Sequence, residues 1–211
     1  MKKTLFSVAA LLLGGCLSMQ AQEGRVNPLP HQVEQQAGAA VVKAPKAWAI
    51  TADAGRHQDV VRLLQQAEGA KAGGAKAAFK LTIGVKGDKA VKKYAKKIPA
   101  KAEGYYLEVT PKGAVLAAAD EVGLFWAAQT WMAMLSEGKM EYCTITDYPD
   151  VPYRGVVEGF YGTPWSHQAR LSQIAFYARH KMNVYIYGPK DDPWHRDKWR
   201  EPYPEAEAKR I

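Results

Sequence analysis

Four short stretches rich in apolar residues predict β-strands, and along the first of them apolar and polar residues alternate as in a half-buried strand. The stretches are residues 79–83, 104–110, 114–118 and 141–145. The second and third flank residues 111–113, a Pro-Lys-Gly segment that favours a tight turn. We therefore expect these two strands to form a β-hairpin. Cys143 lies in the last stretch, and we interpret it as a buried strand residue.

Apolar residues at helical spacing predict helices elsewhere in the same part of the chain. Residues 55–68 and 89–97 each carry an apolar face, with lysines opposite it in the second, and we interpret the Gly/Ala/Lys-rich residues 69–76 as a loop. The longest helix follows Asp120, a good capping residue, and ends at Gly138. Its predicted buried stripe consists of Leu124, Ala128, Trp131 and Leu135.

The pattern changes at residues 147–152, where two prolines in four residues mark a boundary. Beyond it, residues 155–157 and 184–187 predict two buried strands, and Ser166 is the expected N-cap of a helix between them. The inner face of that helix is expected to carry Leu171, Ile174, Ala175 and Ala178. A strand, a helix and a parallel strand form the repeat of an α/β barrel or of an open α/β sheet.

These patterns place the chain in the α/β class. We expect a small α/β domain, a mixed sheet with helices, over residues 22–147, which is long enough to fold alone. Residues 148–211 form the beginning of a second α/β domain. A complete eight-fold barrel takes roughly 250 residues, so this stretch corresponds to roughly one and a half repeats of one.

The first 21 residues read as a secretory signal peptide. Lys2 and Lys3 precede a short apolar run, residues 5–13, that is too short to cross a bilayer as a helix. Cleavage after Ala21 would release a soluble exported protein. The segment that ends at Cys16 also resembles a bacterial lipobox, which would attach a lipid there instead. Both forms place the protein outside the cytoplasm, and we expect no transmembrane segment.

The net charge of +8 is concentrated in part of the chain. Seven lysines lie within residues 86–101, which fits either a solvated helix face or a surface that binds nucleic acid or an anionic glycan. Tyr94 is the only aromatic residue among them, and no recognised nucleic-acid motif accompanies them. We therefore interpret these lysines as a solvated face and expect no nucleic-acid partner.

The two strands beyond the boundary each lead into a loop rich in glycine, aromatic and charged residues. In α/β barrels such loops, at the carboxyl ends of the strands, build the active site. In the first loop Gly159 lets main chain approach a ligand, and Tyr161 offers a flat face to a sugar ring. In the second loop Lys190 supplies a compact charged donor for a hydroxyl or carbonyl oxygen.

These loops resemble the opening of the catalytic barrel in glycoside hydrolase family 84. The resemblance lies in the run RGVVEGFYGTPWSHQARLS at residues 154–172, in Lys-Met-Asn at 181–183 and in YIYGPKDDP at 185–193. That family includes bacterial and human O-GlcNAcases and hyaluronidase-type enzymes. The preceding domain is more weakly similar to the α/β domain before the barrel in bacterial members. The resemblance implies that residues 148–211 are the first, incomplete part of a (β/α)8 TIM barrel.

The resemblance also implies a site. Gly159 matches a position whose main chain contacts N-acetylglucosamine, Lys190 matches a sugar-binding lysine, and Tyr161 matches an aromatic residue that lines the pocket. The catalytic pair of the family is two adjacent aspartates on a later barrel strand, so we expect no catalytic residue in this chain. We interpret Asp191 and Asp192 as turn and capping carboxylates, with a pocket-edge role for one of them as the alternative.

Glu158 is expected to pair with a basic neighbour rather than to act as a general acid. The histidines His167, His180 and His195 lack metal-ligand spacing, so we expect neither a metal nor a cofactor. Trp165, Trp194 and Trp199 are expected to pack under loops, with a carbohydrate platform as the alternative.

The function that the resemblance implies for the whole enzyme is removal of terminal β-linked N-acetylglucosamine from glycans or glycoproteins. The acetamido group of the substrate would attack the anomeric carbon, and configuration would be retained. We expect the 211-residue chain itself to be inactive, because the aspartate pair lies downstream. The alternative is a non-catalytic module that binds carbohydrate or acts as a scaffold.

Overall fold

The computed structural model describes residues 26–35, 42–67, 70–71, 77–136 and 138–209. The predicted signal peptide and Cys16 lie outside the described residues. The chain divides into two units between Tyr148 and Pro149.

The first unit contains both strands and helices. Its elements, in chain order, are β1 (Gln32–Gln35), β2 (Val42–Lys43), β3 (Trp48–Thr51), α1 (Gln58–Gln65), β4 (Ala70–Lys71), β5 (Phe79–Val85), β6 (Tyr105–Thr110), β7 (Gly113–Ala118), α2 (Glu121–Ser136), β8 (Lys139–Met140) and β9 (Cys143–Asp147). The predicted loop at residues 69–76 contains the short strand β4. The other predicted strands and the helices α1 and α2 form within a few residues of their expected bounds.

Seven of these strands form one mixed sheet in the order β1-β9-β6-β7-β5-β3-β4. β6 and β7 pair antiparallel as the predicted hairpin, with Leu107 opposite Leu116. β7, β5, β3 and β4 pair parallel, and β1, β9 and β6 pair antiparallel. The strands β2 and β8 form a separate antiparallel pair. The predicted α/β class with a mixed sheet is therefore confirmed for this unit.

One face of the sheet is covered by α2. Asp120 caps the helix, because its Oδ1 accepts a hydrogen bond of 2.8 Å from Gly123 N. Trp131, near the middle of α2, is fully buried and meets Trp48 edge-on at 5.9 Å between ring centroids. Gly138, in the left-handed region at φ 66°, follows the helix and donates to one of its last carbonyls. Both ends of this helix are therefore where the sequence places them.

The opposite face of the sheet is covered by residues 86–101. Successive strand residues point to opposite faces, so Leu107 and Leu116 lie under α2 whereas Tyr106 and Ala117 point to the other side. There they pack in a second apolar cluster with Val91, Tyr94, Ile98 and Val115. The short surface helix predicted at residues 89–97 forms only in part, as a 3₁₀ turn over Lys92–Tyr94. A short, lysine-rich segment gains little stability from helical hydrogen bonds alone. Its conformation is instead determined by the burial of Val91, Tyr94 and Ile98 against the sheet.

The second unit begins with a β-α-β repeat. Its elements are β10 (Gly155–Glu158), α3 (His167–Arg179), β11 (Val184–Tyr187) and α4 (Glu205–Ala208). β10 and β11 pair parallel, as predicted from the crossover. Ser166 caps α3 by accepting a hydrogen bond of 3.2 Å from Ala169 N, which also confirms the sequence prediction.

The predicted burial of this unit is wrong. Leu171 and Ile174 on α3 are 47% and 45% exposed, and Val157 and Ile186 on the strands are 62% and 52% exposed. The apolar periodicity predicts a helix with a buried face, but two paired strands offer too little apolar surface to cover it. The buried residues of the unit are instead mostly polar or aromatic, among them Glu158, Asp192 and Tyr177.

Candidate functional site

The loops that follow β10 and β11 lie side by side. Gly188 N donates to the carbonyl oxygen of Glu158 at 2.9 Å, and Lys190 N donates to the carbonyl oxygen of Phe160 at 3.1 Å. These bonds extend the parallel pairing of β10 and β11 past the ends of the strands. The two loops singled out in the sequence therefore form one continuous edge.

A third bond joins the loops farther out. The Asp191 carboxylate accepts a hydrogen bond of 2.9 Å from Gly162 N. Gly162 has φ 110°, a backbone conformation that side-chain-bearing residues rarely adopt. The glycine therefore permits the turn that aims its N–H at the other loop. This contact agrees with the prediction that Asp191 acts as a turn carboxylate.

Lys190 and Tyr161 meet at this edge. The Lys190 Nζ lies 4.3 Å from the centroid of the Tyr161 ring, within the range of a cation–π contact. The Tyr161 side chain is 74% exposed, and Lys190 is exposed as well. Gly159, two residues before Tyr161, is half-buried and adds no side chain to the loop. The pair thus presents an ammonium group and an aromatic ring to solvent at the carboxyl end of the strands.

Asp192, in contrast, is buried, and both of its carboxylate oxygens accept hydrogen bonds. Its carboxylate accepts hydrogen bonds from Trp194 N at 2.8 Å, His195 N at 3.4 Å and the Tyr203 hydroxyl at 3.0 Å, and from the Tyr187 hydroxyl as well. Burial raises the pKa of this carboxyl, but these donors outweigh it and hold the pKa below the usual range. An ionised acceptor of this kind cannot donate a proton. The predicted capping role of Asp192 is confirmed by its position before the 3₁₀ turn Pro193–His195.

Glu158 is likewise a structural carboxylate. Its side chain is fully buried, forms an ion pair of 2.9 Å with Arg170 Nε and accepts a hydrogen bond of 2.9 Å from Trp165 N. The Tyr185 hydroxyl donates to it too. Burial raises the pKa of Glu158, and the bonds from Arg170, Tyr185 and Trp165 lower it further than burial raises it. The prediction of a basic partner is confirmed, and the pair joins the end of β10 to α3.

The sequence reasoning missed the tyrosines that surround these two carboxylates. Tyr185 and Tyr187 lie two residues apart on β11. The Tyr185 hydroxyl donates to Glu158, and the Tyr187 hydroxyl donates to Asp192. Arg170 stacks over the Tyr187 ring, with Cζ 4.5 Å from its centroid, and so links the two carboxylate clusters. Tyrosines in a strand usually indicate burial with a satisfied hydroxyl, and that signal was available.

A cleft in this unit lies beside the start of α3. It is lined by Pro164, Trp165, Ser166, His167, Arg170, Tyr187, Asp191, Asp192, Pro193, Trp194, Tyr203 and Glu207. None of the three predicted sugar-binding residues lies in its wall. Two of the three tryptophans do, and Trp194 stacks on Tyr203 at 5.5 Å. Trp199, 64% exposed, does not pack under a loop as predicted.

Two further properties concern the described residues as a whole. Among them, no group of three or more His, Cys, Asp or Glu side chains could hold a metal ion. No helix in the same ranges is long and apolar enough to cross a membrane.

Comparison with known proteins gives two family matches. A family described as beta-N-acetylglucosaminidase matches residues 154–211, and one described as glycosyl hydrolase family 20, domain 2, matches residues 23–148. The chain is 46% identical over 57 residues to the protein O-GlcNAcases of Rattus norvegicus and Mus musculus. That stretch covers 27% of this chain and 6% of each relative.

Solved structures resemble a larger part of the chain. The structure of CpGH84B matches with a TM-score of 0.70 and 29% identity over 88% of this chain and 33% of its own. The structure of CpGH84D matches with a TM-score of 0.71 and 22% identity, which supports the fold. The chain thus spans about a third of the solved relatives.

The family 20 domain 2 match covers more than half of the chain, and the two loops that follow β10 and β11 fall within the beta-N-acetylglucosaminidase match. The chain therefore belongs, over residues 23–148, to the family described as glycosyl hydrolase family 20, domain 2, and residues 154–211 resemble the O-GlcNAcase-like β-N-acetylglucosaminidases of family 84.

Proposed function

We propose that the full-length protein removes terminal β-linked N-acetylglucosamine from glycans or glycoproteins, and that residues 149–211 supply part of its sugar-binding site. The observation that carries this proposal is the joined edge of the two loops, where the Lys190 ammonium lies over the Tyr161 ring. The relationship to protein O-GlcNAcases supports the substrate class.

Three residues share the binding of the sugar in this proposal. Lys190 donates to a ring hydroxyl, Tyr161 offers its exposed face to the apolar side of the pyranose, and Gly159 lets the main chain approach. Because the main-chain bonds between the loops fix these groups in advance, little entropy is lost when the sugar binds.

Bond cleavage is assigned to residues outside this group. The acetamido oxygen of the substrate attacks the anomeric carbon, one aspartate polarises the acetamido N–H, and a second protonates the leaving oxygen and then activates water. Asp191–Asp192 cannot serve as this pair, because Asp192 is an occupied, ionised cap and Asp191 holds the neighbouring loop. The catalytic pair is therefore assigned to a later strand of a (β/α)8 barrel that continues from β11.

The proposal is tested by substitution in the full-length enzyme with a chromogenic N-acetyl-β-glucosaminide. Lys190→Ala is expected to lower kcat/KM by roughly 10- to 100-fold, since a hydrogen bond from a charged group contributes about 1.5–3 kcal/mol. Lys209→Ala is the matched control, because Lys209 is exposed and, within the described part of the chain, pairs with Glu205 one helical turn away. Equal activity of the two variants would contradict the assignment of Lys190.

Tyr161 is tested by a pair of variants. Tyr161→Phe keeps the ring and is expected to retain most of the activity, whereas Tyr161→Ala removes the stacking face and is expected to raise KM. The purified 211-residue chain is expected to give no turnover above buffer. Turnover that survives repurification would show that the catalytic carboxylates lie within these residues.

The proposal also includes export. The signal peptide at residues 1–21 would deliver the enzyme beyond the cytoplasmic membrane, either released from Gln22 onward or tethered through a lipid on Cys16. Mass spectrometry of the amino-terminal peptide of the mature protein separates these two forms, and an intact Met1 would contradict both.

A further inference from the structure

The net charge of the chain comes from two short stretches. The leader carries Lys2 and Lys3, and residues 86–101 carry seven lysines and one aspartate. All other residues together contain twenty Lys or Arg and twenty Asp or Glu. Outside the leader, the whole excess of positive charge therefore belongs to one segment of 16 residues.

The structure places this charge on one surface. All seven lysines are exposed, and we refer to them as the lysine patch: Lys86, Lys89, Lys92, Lys93, Lys96, Lys97 and Lys101. The aspartate of the segment, Asp88, is 2% exposed and is bonded to Arg56 at 2.8 Å and to His57 at 2.6 Å. Its carboxylate is therefore engaged by the Arg56 guanidinium and by the His57 ring.

Two neighbouring carboxylates reduce the charge of the patch only in part. Glu108 pairs with Lys97 at 3.4 Å and is largely buried. Asp53 is used by the main chain, because it accepts hydrogen bonds from Lys89 N at 2.8 Å and Ala90 N at 3.1 Å. Among the described residues, Lys97 is the one lysine of the patch for which an ion pair with a carboxylate forms.

The patch is held rigidly although its backbone is irregular. Three residues of the segment are buried in the cluster on the second face of the sheet: Val91 before the 3₁₀ turn, Tyr94 within it and Ile98 after it. Lys93 Nζ lies 4.7 Å from the Tyr94 ring centroid, and Lys97 donates to the Tyr106 hydroxyl at 2.9 Å. A fixed array of like charges is electrostatically costly by itself and favours association with a polyanion.

We propose that the lysine patch binds a polyanionic glycan. The apolar residues of the segment are buried in the domain, so the patch offers no side chain for insertion into a lipid surface. Its aromatic residue, Tyr94, is 8% exposed and cannot stack on a nucleic-acid base. Lysine ammonium groups act as point charges and suit sulfates or carboxylates spaced along a flexible polymer.

The choice of a glycan over other polyanions also rests on the proposed function. An enzyme that acts on glycan ends would gain residence time from a second, charge-dependent contact with the same polymer. The surface lies in the first unit, and the proposed sugar site lies in the second, so the two can be tested separately.

The test is a binding measurement with a heparin oligosaccharide at about 0.15 M salt, where the Debye length is about 8 Å. The altered protein carries Lys89→Gln, Lys92→Gln and Lys96→Gln, which spares the lysines that contact Tyr94 and Tyr106. The matched control carries Lys46→Gln, Lys80→Gln and Lys112→Gln, three exposed lysines of the same unit with the same loss of charge. Thermal unfolding checks that both variants remain folded.

The patch variant is expected to bind heparin roughly tenfold more weakly, since each exposed ionic contact contributes roughly two- to fivefold. The control is expected to change by less than a factor of two, and raising the salt should abolish binding by the unaltered protein. Equal weakening of both variants, or no binding by the unaltered protein, would overturn the proposal. Patch-dependent binding of phosphatidylserine vesicles or of DNA in preference to heparin would overturn it too.

A neutral chitin oligosaccharide serves as the second ligand. Its binding should not depend on the patch, because it carries no charge. If Lys190→Ala loses binding of the chitin oligosaccharide but keeps binding of heparin, the substitution affects the sugar site and leaves the lysine patch unchanged. The failure of one proposal is thereby distinguished from the failure of the other.

Discussion

Removal of the Glu158 charge should destabilise the second unit more than any surface substitution in it. Glu158 is fully buried, and its partner Arg170 is only 14% exposed. When one member of a buried ion pair is removed, the other remains as an uncompensated charge, which costs about 3–5 kcal/mol. Glu158→Ala should therefore consume most or all of the stability of a unit of this size.

Glu158→Gln should destabilise the second unit less than Glu158→Ala does. The amide oxygen can still accept the hydrogen bond from Trp165 N, so the change removes mainly the charge. We expect a loss of about 1.5–3 kcal/mol, the usual contribution of hydrogen bonds to a charged group. The control is Glu205→Gln, which breaks an ion pair whose members are 73% and 83% exposed and should cost less than about 0.5 kcal/mol.

The stabilising contribution of Glu158 should also depend on pH. The pKa of Glu158 is lowered from its ordinary value of 4.5, so the folded state binds its proton less readily than the unfolded state does. Its stabilising contribution is thus complete above about pH 4.5 and is lost as the pH falls through the lowered pKa of the folded state. The stability difference between the unaltered protein and Glu158→Gln should shrink over that acidic range.

Hydrogen exchange followed by mass spectrometry is the suitable assay, because it reports the second unit separately from the first. Peptides from β10, α3 and β11 should exchange faster in Glu158→Gln than in Glu205→Gln, whereas peptides from the first unit should not change. Equal protection in both variants would refute the view that this carboxylate stabilises the fold. The double change Glu158→Met with Arg170→Leu should restore part of the loss, since no unpaired charge is left.

Three other outcomes follow from the contacts. Gly155→Ala should separate β10 from β11 and expose the second unit to protease, because a Cβ there would lie 1.8 Å from the Val184 carbonyl oxygen. Asp88→Asn should lower the thermal midpoint of the first unit at neutral pH and much less in strong acid. Burial raises the pKa of Asp88, but the hydrogen bonds from Val85 N and His57 lower it further, so that it lies below 3.8 in the folded state. Cys143, which is fully buried, should react with an alkylating reagent far more slowly in the native protein than in denaturant, as peptide mapping would show.

Local signals allowed several elements to be predicted before the structure was known. The β6–β7 hairpin is predicted from two apolar-rich stretches that flank a Pro-Lys-Gly turn, and α2 from its cap at Asp120 and its apolar stripe. The parallel crossover of the second unit follows from strand, helix and strand patterns with Ser166 at the helix start. In each case the determining residues lie within about one element of each other, so they can be recognised without knowing the fold.

The order of the strands in the large sheet was not available from the sequence. β9 inserts between β1 and β6, although more than a hundred residues separate it from β1 along the chain. Strand partners are chosen by the surfaces that meet when the chain is compact, and alternation describes only one strand at a time. The same limit explains why the helix predicted at residues 89–97 is shortened to a 3₁₀ turn, since the segment packs against the far face of the sheet.

For the candidate site, the sequence by itself determined the residue types and the resemblance that pointed to Gly159, Tyr161 and Lys190. Only the tertiary structure showed that the Lys190 ammonium lies over the Tyr161 ring and that the hydroxyls of Tyr187 and Tyr203 donate to the predicted cap Asp192. It also left Leu171 exposed where periodicity predicted burial. Periodicity records which face of an element is apolar, whereas burial and charge state depend on which other elements pack against that face.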